Sequence, residues 1–146
     1  MPRYFTLDQA HRTLPHVEDT IRRAIDLKAD FESADGELRE LMRRVMASGG
    51  MNVDREHVAN LRNSREESAS KLKTAIETIQ ELGCVVKDLD IGLLDFPTLY
   101  KGQEVYLCWR LGEAQIEHWH GVDEGFRGRK PIDDDFLANH AGDSVV

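Results

Sequence analysis

The sequence predicts an α+β fold: a long antiparallel helical hairpin followed by a small antiparallel β-meander. Three observations predict it. Apolar residues recur at alternating steps of three and four through residues 14–45 and again through 58–82. A Ser-Gly-Gly break at 48–50 separates those two stretches, and Gly83 closes the second. Beyond Gly83 the texture changes to short runs of branched and aromatic residues bracketed by glycines.

Each element has its own signal. Thr6-Leu7-Asp8-Gln9 reads as a capping box, in which the Thr hydroxyl and the Gln side chain satisfy each other's amides at a helix start. Pro15 suits a first turn and not a helix interior. The expectation is therefore a short helix, then a second, longer one capped by Thr13. The longer helix carries Leu14, Val17, Ile21, Ala24, Lys28, Phe31, Asp35, Leu38, Met42 and Val45 in one seam, eight of ten apolar. A second apolar line runs through Leu27, Ala34 and Leu41. Asn52-Val53-Asp54 starts the next helix, with Asp54 its cap. Its seam is Val58, Leu61, Arg65, Ser68, Leu72, Ala75, Ile79 and Leu82. Simple register about the turn sets Val45 near Val58, Leu38 near Arg65, Asp35 near Ser68 and Phe31 near Leu72.

Four strands follow: Cys84–Val86, then Leu93–Phe96 stopped by Pro97, then Glu104–Arg110, then Ile116–His120. Lys101-Gly102 and Leu111-Gly112 are turns. Residues 121–131, with three glycines and Arg127, Arg129 and Lys130, suggest an ordered loop. The polar end, 132–146, is expected to be a flexible tail. The chain, 1–146, is expected to form one domain, with 1–83 helical and 84–131 carrying the meander and loop.

Charge narrows the partners. The 146 residues carry a net charge of -8. Residues 84–146 hold 12 acidic and 6 basic side chains, against 15 and 13 in residues 1–83. Nucleic-acid binding depends on phosphate neutralisation, so no nucleic-acid partner is expected, and no anionic membrane surface. The N-terminus has no apolar h-region, no run approaches a membrane span, and two cysteines fit a reduced compartment, so a cytoplasmic protein is expected. The second apolar line on the first long helix favours a homodimer through the hairpin.

Chemistry concentrates in residues 87–129. Asp88, Asp90, Asp95, Glu113, Glu117, His118 and His120 are donors of the kind that iron, manganese or zinc sites use. His118 and His120 share one strand face by alternation, as do Asp88 and Asp90. No closed ligand motif is present: no HExxH, no CxxC, no EF-hand loop. Arg110, Arg127 and Arg129 could bind a phosphate or carboxylate, or pair with neighbouring acids. Cys108 shares a face with Tyr106 and Arg110 and reads as a buried, inert thiol. His11 and His16 read as surface or packing residues.

Several motifs carry a family resemblance. They are Tyr4-Phe5-Thr6-Leu7 with Leu14-Pro15; Val86-Lys87-Asp88-Leu89-Asp90-x-Gly92-Leu93-x-Asp95-Phe96-Pro97; Gly102-x-Glu104-Val105-x-Leu107-Cys108-Trp109-x-x-Gly112-Glu113; Trp119-His120; and Gly125-Phe126-x-Gly128-Arg129-x-Pro131. This pattern resembles the bacterial DUF2203 family of uncharacterised proteins over nearly the whole chain. The resemblance implies no reaction. It does mark Asp88, Asp95, Arg110, Glu113, His120 and Arg129 as pattern positions, ahead of His118 and Asp90. That favours a site of His120, Glu113 and the aspartates, with helix carboxylates such as Glu18 as additions.

The expectation is therefore a metal-binding protein. Its ligands would be drawn from Asp88, Asp95, Glu113, His120 and His118, and its cofactor would be iron, manganese or zinc. The alternative is a non-enzymatic interaction or oligomerisation module built on the hairpin. A third reading is an anion site at Arg110, Arg127 and Arg129. No reaction is assigned.

Overall fold

The structure, a computed structural model, describes residues 3–50 and 53–143. Two helices lead: α1 (Leu7–Ala47) and α2 (Arg55–Glu81). An antiparallel sheet follows, of β1 (Val85–Asp88), β2 (Leu93–Tyr100), β3 (Gln103–Arg110), β4 (His118–Gly121) and β5 (Lys130–Pro131), in that spatial order. A short helix α3 (Asp134–Asn139) and β6 (His140–Ala141), paired with β2, complete the chain. The fold is α+β, as the sequence predicts. The chain divides into two compact units, Met1–Arg22 with Ile76–Val146, and Arg23–Ala75.

The helix boundaries follow the cap chemistry. Thr6 Oγ1 accepts from the Gln9 amide at 3.1 Å, and Gln9 Oε1 from the Thr6 amide at 2.9 Å, a complete capping box. Asp54 caps α2 by accepting from the His57 amide at 3.1 Å; Asn52 lies outside the described residues. Gly83, at φ 98°, ends α2 in a left-handed conformation that a side chain would resist. Its amide donates to the Gln80 carbonyl and that of Cys84 to Ile79.

Pro15 does not divide the first helix. Leu7–Ala47 is continuous, and Thr13 caps nothing: its hydroxyl donates to the Gln9 carbonyl one turn back, at 3.0 Å. The proline removes the donor that the His11 carbonyl would have used, a cost of about 3 kcal/mol. Buried Leu14 and Val17 on either side hold the helix across it.

In the unit Arg23–Ala75 the two helices run antiparallel around a small core of Leu38, Val58 and Leu61, with Leu41 and Met42 against it. The register differs from the simple count. Asp35 meets Arg65 at 3.3 Å rather than Ser68. The salt bridge and the Leu38–Leu61 packing select a register nearly one turn away, which symmetric counting about the turn does not foresee.

In the other unit the sheet is two-faced. Leu94, Phe96, Thr98, Val105, Leu107 and Trp109 share one face and are all buried. Phe5, Ala10, Leu14, Val17, Ile21 and Ile79 are buried with them, and Phe5 packs edge-on against Phe96 at 5.3 Å. The opposite face carries Asp95, Tyr106, Cys108, Arg110, His118 and His120. Lys101 (φ 52°) and Gly102 (φ 80°) form the two-residue turn between β2 and β3; positive φ at both positions matches the twist of the strands it joins.

Two further expectations are corrected here. Pro97 does not stop β2, which continues to Tyr100. Its carbonyl accepts from the Phe5 amide at 2.7 Å, so its missing N–H points away from β3 and leaves that ladder intact. The polar end is also ordered as far as Asp143. Asp133 caps α3 through the Phe136 amide, and Phe136 is fully buried between Tyr100, Trp119 and His140. His140 Nε2 accepts from the Leu7 amide at 3.0 Å, and Asp143 bonds Tyr4 through backbone and side chain. One aromatic residue in a polar stretch gives little periodicity, so composition alone hides this anchor. Residues 144–146 lie outside the described residues. Phe136→Ala is expected to destabilise the protein by about 3–5 kcal/mol, measured by urea unfolding; a loss below 1 kcal/mol would show that the end is a loose appendage.

Candidate metal centre

The turn at Lys101–Gly102 sets Asp95 opposite Cys108, and β4 sets His118 opposite Cys108 and His120 opposite Tyr106. Three donors converge as a result. One ligand atom from each of Asp95, Cys108 and His120 lies within 4.8 Å of the other two. All three residues are buried: Asp95 and Cys108 are 0% exposed and His120 is 3%. Among the described residues this is the one such group, and it could hold a metal ion.

His120 is held at both nitrogens. Nδ1 lies 2.8 Å from the Gly121 carbonyl, which can only accept, so Nδ1 carries a hydrogen. Nε2 is then aimed at Asp95 Oδ1, 2.9 Å away. That contact holds a single proton, either on the carboxyl or on the imidazole. Burial pushes the Asp95 carboxyl above the ordinary aspartate range, while the His120 hydrogen bond and charge pull against it. Asp95 Oδ2 is buried with no hydrogen-bond partner. Burial, reinforced by the Asp95 charge, raises the Cys108 thiol to about 11; the Arg129 guanidinium beside it opposes the rise.

The covering loop is fixed by Glu124. Its Oε1 accepts from the Gly121 amide at 2.9 Å and from Lys130 Nζ at 2.6 Å. A Cβ at Gly121 would sit 2.9 Å from that oxygen. The residue whose carbonyl orients His120 is thus itself pinned by a carboxylate.

The other expected residues go elsewhere. Asp88 ends β1, exposed, and its Oδ1 accepts from the Asp90 amide at 3.0 Å. Glu113 is bound twice by Arg129, at 3.0 and 2.8 Å, and accepts from the Arg110 amide at 2.7 Å. His118 Nδ1 is buried without a hydrogen bond, 3.8 Å from Glu113 Oε2, and its side chain is 29% exposed. Glu117 is exposed, and Glu18 pairs with Arg22 along its own helix. Of the three arginines, Arg129 is spent on Glu113 and stacks on Phe126 at 4.4 Å. Arg110 lies 5.9 Å from the same ring, and Arg127 is exposed. His11 accepts from the Ile116 amide at 3.1 Å, a packing role.

A family model described as an uncharacterised conserved protein, DUF2203, matches residues 3–132. The chain belongs to the DUF2203 family. Asp95, Cys108, His120 and the Arg129–Glu113 pair all lie inside the matched stretch, whereas α3 and β6 of this DUF2203 chain lie beyond it. No curated protein and no solved structure matches the chain. Among the described residues, no helix is long and apolar enough to cross a membrane.

Cys108 is the residue that a search for carboxylates and imidazoles passes over. The signal for it was present. A two-residue turn at Lys101–Gly102 pairs Tyr100 with Gln103, and counting back five pairs Asp95 with Cys108.

The Glu113–Arg129 pair gives a pH-dependent prediction. Burial raises the Glu113 pKa, but the Arg129 hydrogen bond and charge and the Arg110 amide outweigh it and hold it below the usual carboxylate range. A depressed pKa stabilises above the unfolded value, near 4.3, and that stability is lost as pH falls through the folded one. Glu113→Gln is therefore expected to cost about 1.5–3 kcal/mol near neutrality, with the difference from wild type shrinking as pH drops below about 4. Urea unfolding across that range measures it.

Proposed function

We propose that this is a metal-binding protein whose ion is held by Asp95, Cys108 and His120. The observation that carries the reading is the convergence of three buried donors, one of them a carboxylate with an unanswered oxygen. Asp95 Oδ2 has no partner, and His120 presents Nε2 because Gly121 occupies its other nitrogen. A ligating histidine is typically anchored in that way, through its second nitrogen on a carbonyl or carboxylate. The donor set of one thiolate, one imidazole and one carboxylate favours zinc or iron over manganese, which prefers oxygen. Two ligands about 2.0 Å from a tetrahedral ion lie about 3.3 Å apart, so the 2.9 Å Asp95–His120 contact needs only a small opening.

Such an ion would tie β2, β3 and β4 together, so its first consequence is stability. A ligand that binds only the folded state adds about 2.7 kcal/mol at a hundredfold excess over its dissociation constant. Three protein ligands also leave a fourth position of the kind that catalytic zinc sites offer to water or substrate.

One observation favours a second reading. The Asp95–His120 hydrogen bond is already complete at 2.9 Å, so the pair could serve as a buried lock with no ion. Metal titration separates the two. Chelator-treated, untagged protein is expected to bind one equivalent of zinc, with a rise in Tm. With cobalt it should develop a thiolate charge-transfer band that Cys108→Ser abolishes. Asp95→Asn and His120→Ala are each expected to weaken binding at least tenfold. Because the ion must displace the protons of Cys108 and of the Asp95–His120 contact, affinity should rise with pH. Binding of no metal, with Tm unchanged by zinc, iron or manganese, would leave the lock.

A further inference from the structure

Among the described residues, two buried side-chain oxygen or nitrogen atoms have no hydrogen-bond partner: Asp95 Oδ2 and His118 Nδ1. They are not scattered. Antiparallel pairing sets Asp95 of β2 opposite Cys108 of β3, and Cys108 opposite His118 of β4. The three residues form one row across the sheet, on one face. Cys108 stands in the middle, with an unanswered atom on the residue to each side. His120, two residues along β4 and so on the same face, joins from the next row and meets Asp95.

The surroundings of His118 do not answer its nitrogen. Glu113 Oε2 is 3.8 Å from Nδ1, beyond hydrogen-bond reach. Both Glu113 oxygens are already engaged: Oε1 accepts from Arg129 and from the Arg110 amide, and Oε2 accepts from Arg129. The His118 ring is therefore held by no hydrogen bond at Nδ1. It is also close to the three buried donors without being one of them. Directly opposed residues of antiparallel strands have Cβ atoms about 4.5–5.5 Å apart, so a turn of the ring carries a nitrogen toward the Cys108 sulfur. Asp95, Cys108 and His120 are buried, whereas the His118 side chain is 29% exposed, which sets it at the rim of the group.

We propose, on the reading that Asp95, Cys108 and His120 hold an ion, that His118 is its fourth ligand and closes the site. One cation then answers both orphan atoms, through a lone pair on each. Four protein ligands leave no position for water or substrate, and sites of that kind are structural. The ion's work is to fasten β2, β3 and β4 into one unit rather than to carry a reaction. One carboxylate, one thiolate and two imidazoles suit zinc, which tolerates mixed oxygen, sulfur and nitrogen donors in a tetrahedron.

Cobalt and azide test the closure. Chelator-treated wild type loaded with cobalt is expected to show the intense visible bands of a four-coordinate ion. Azide, which binds where a coordination position is open, should leave those bands unchanged. His118→Ala is expected to keep the thiolate charge-transfer band, because Cys108 remains, while its visible bands shift when azide is added. Its zinc affinity should fall about tenfold or more, since losing even a residue behind a ligand costs about 10–100-fold. A second measurement needs no variant. In imidazole nitrogen-15 spectra of wild type, one equivalent of zinc should shift a nitrogen of His118 together with Nε2 of His120. Wild type that takes up neither cobalt nor zinc would overturn the metal-binding reading and the closed site with it. Wild type that binds the ion but whose bands move with azide would overturn the closed site alone and leave the three-ligand centre standing. Zinc that shifts His120 and leaves both His118 nitrogens unmoved would do the same.

Discussion

The register of one hairpin decides what this sheet can do. Lys101 and Gly102 both take positive φ, the geometry of a two-residue turn whose twist suits antiparallel strands. That turn pairs Tyr100 with Gln103 and so, strand-length away, Asp95 with Cys108. A slip of β3 by one residue would reverse its faces: Leu107 and Trp109 would leave the apolar side and Cys108 would enter it. The apolar face makes that slip prohibitive. The same packing that forms the core therefore places Asp95, Cys108 and His120 together on the opposite face. Pro97 fits the scheme because its missing donor points away from the β3 ladder.

Much of this was legible in the residues, and the failures have physical causes. Caps and stops are local chemistry, so Thr6 with Gln9, Asp54 and Gly83 could be read directly. The proline rules are not absolute. Pro15 and Pro97 break regular structure only where the missing hydrogen bond cannot be tolerated; buried neighbours hold one, and a strand gap accommodates the other. The hairpin register was read by symmetric counting, whereas Asp35 and Arg65 select it by charge. The C-terminal stretch looked unstructured because one phenylalanine in a polar sequence leaves no period to detect. Its burial among Tyr100, Trp119 and His140 is a tertiary fact.

The candidate site shows the same division. Residue type pointed to carboxylates and imidazoles, and two of the five expected metal ligands, Asp95 and His120, are among the three donors that meet. Type could not say which acids are already engaged. Glu113 has a cation, an amide and an indole N–H of its own neighbourhood to satisfy, since Arg129 grips it twice, Arg110 offers its amide and Trp109 Nε1 donates to its backbone carbonyl. Asp88 has its own turn to close. A buried thiol such as Cys108 is inert as a nucleophile. That argument does not exclude it as a ligand, because an ion can take the place of the proton that burial retains.

What remains is the condition of Asp95. A carboxylate oxygen held in a site without exposure and without a donor costs about 1–3 kcal/mol, and more if it is charged. The neighbours supply an imidazole whose Nε2 meets only Oδ1 and a buried thiol with the Arg129 guanidinium beside it. The loop above adds nothing to Oδ2. It spends Glu124 and Gly121 on orienting His120. The Asp95–His120 hydrogen bond satisfies only one of the two carboxylate oxygens, and Asp95, Cys108 and His120 together form a group that could hold a cation.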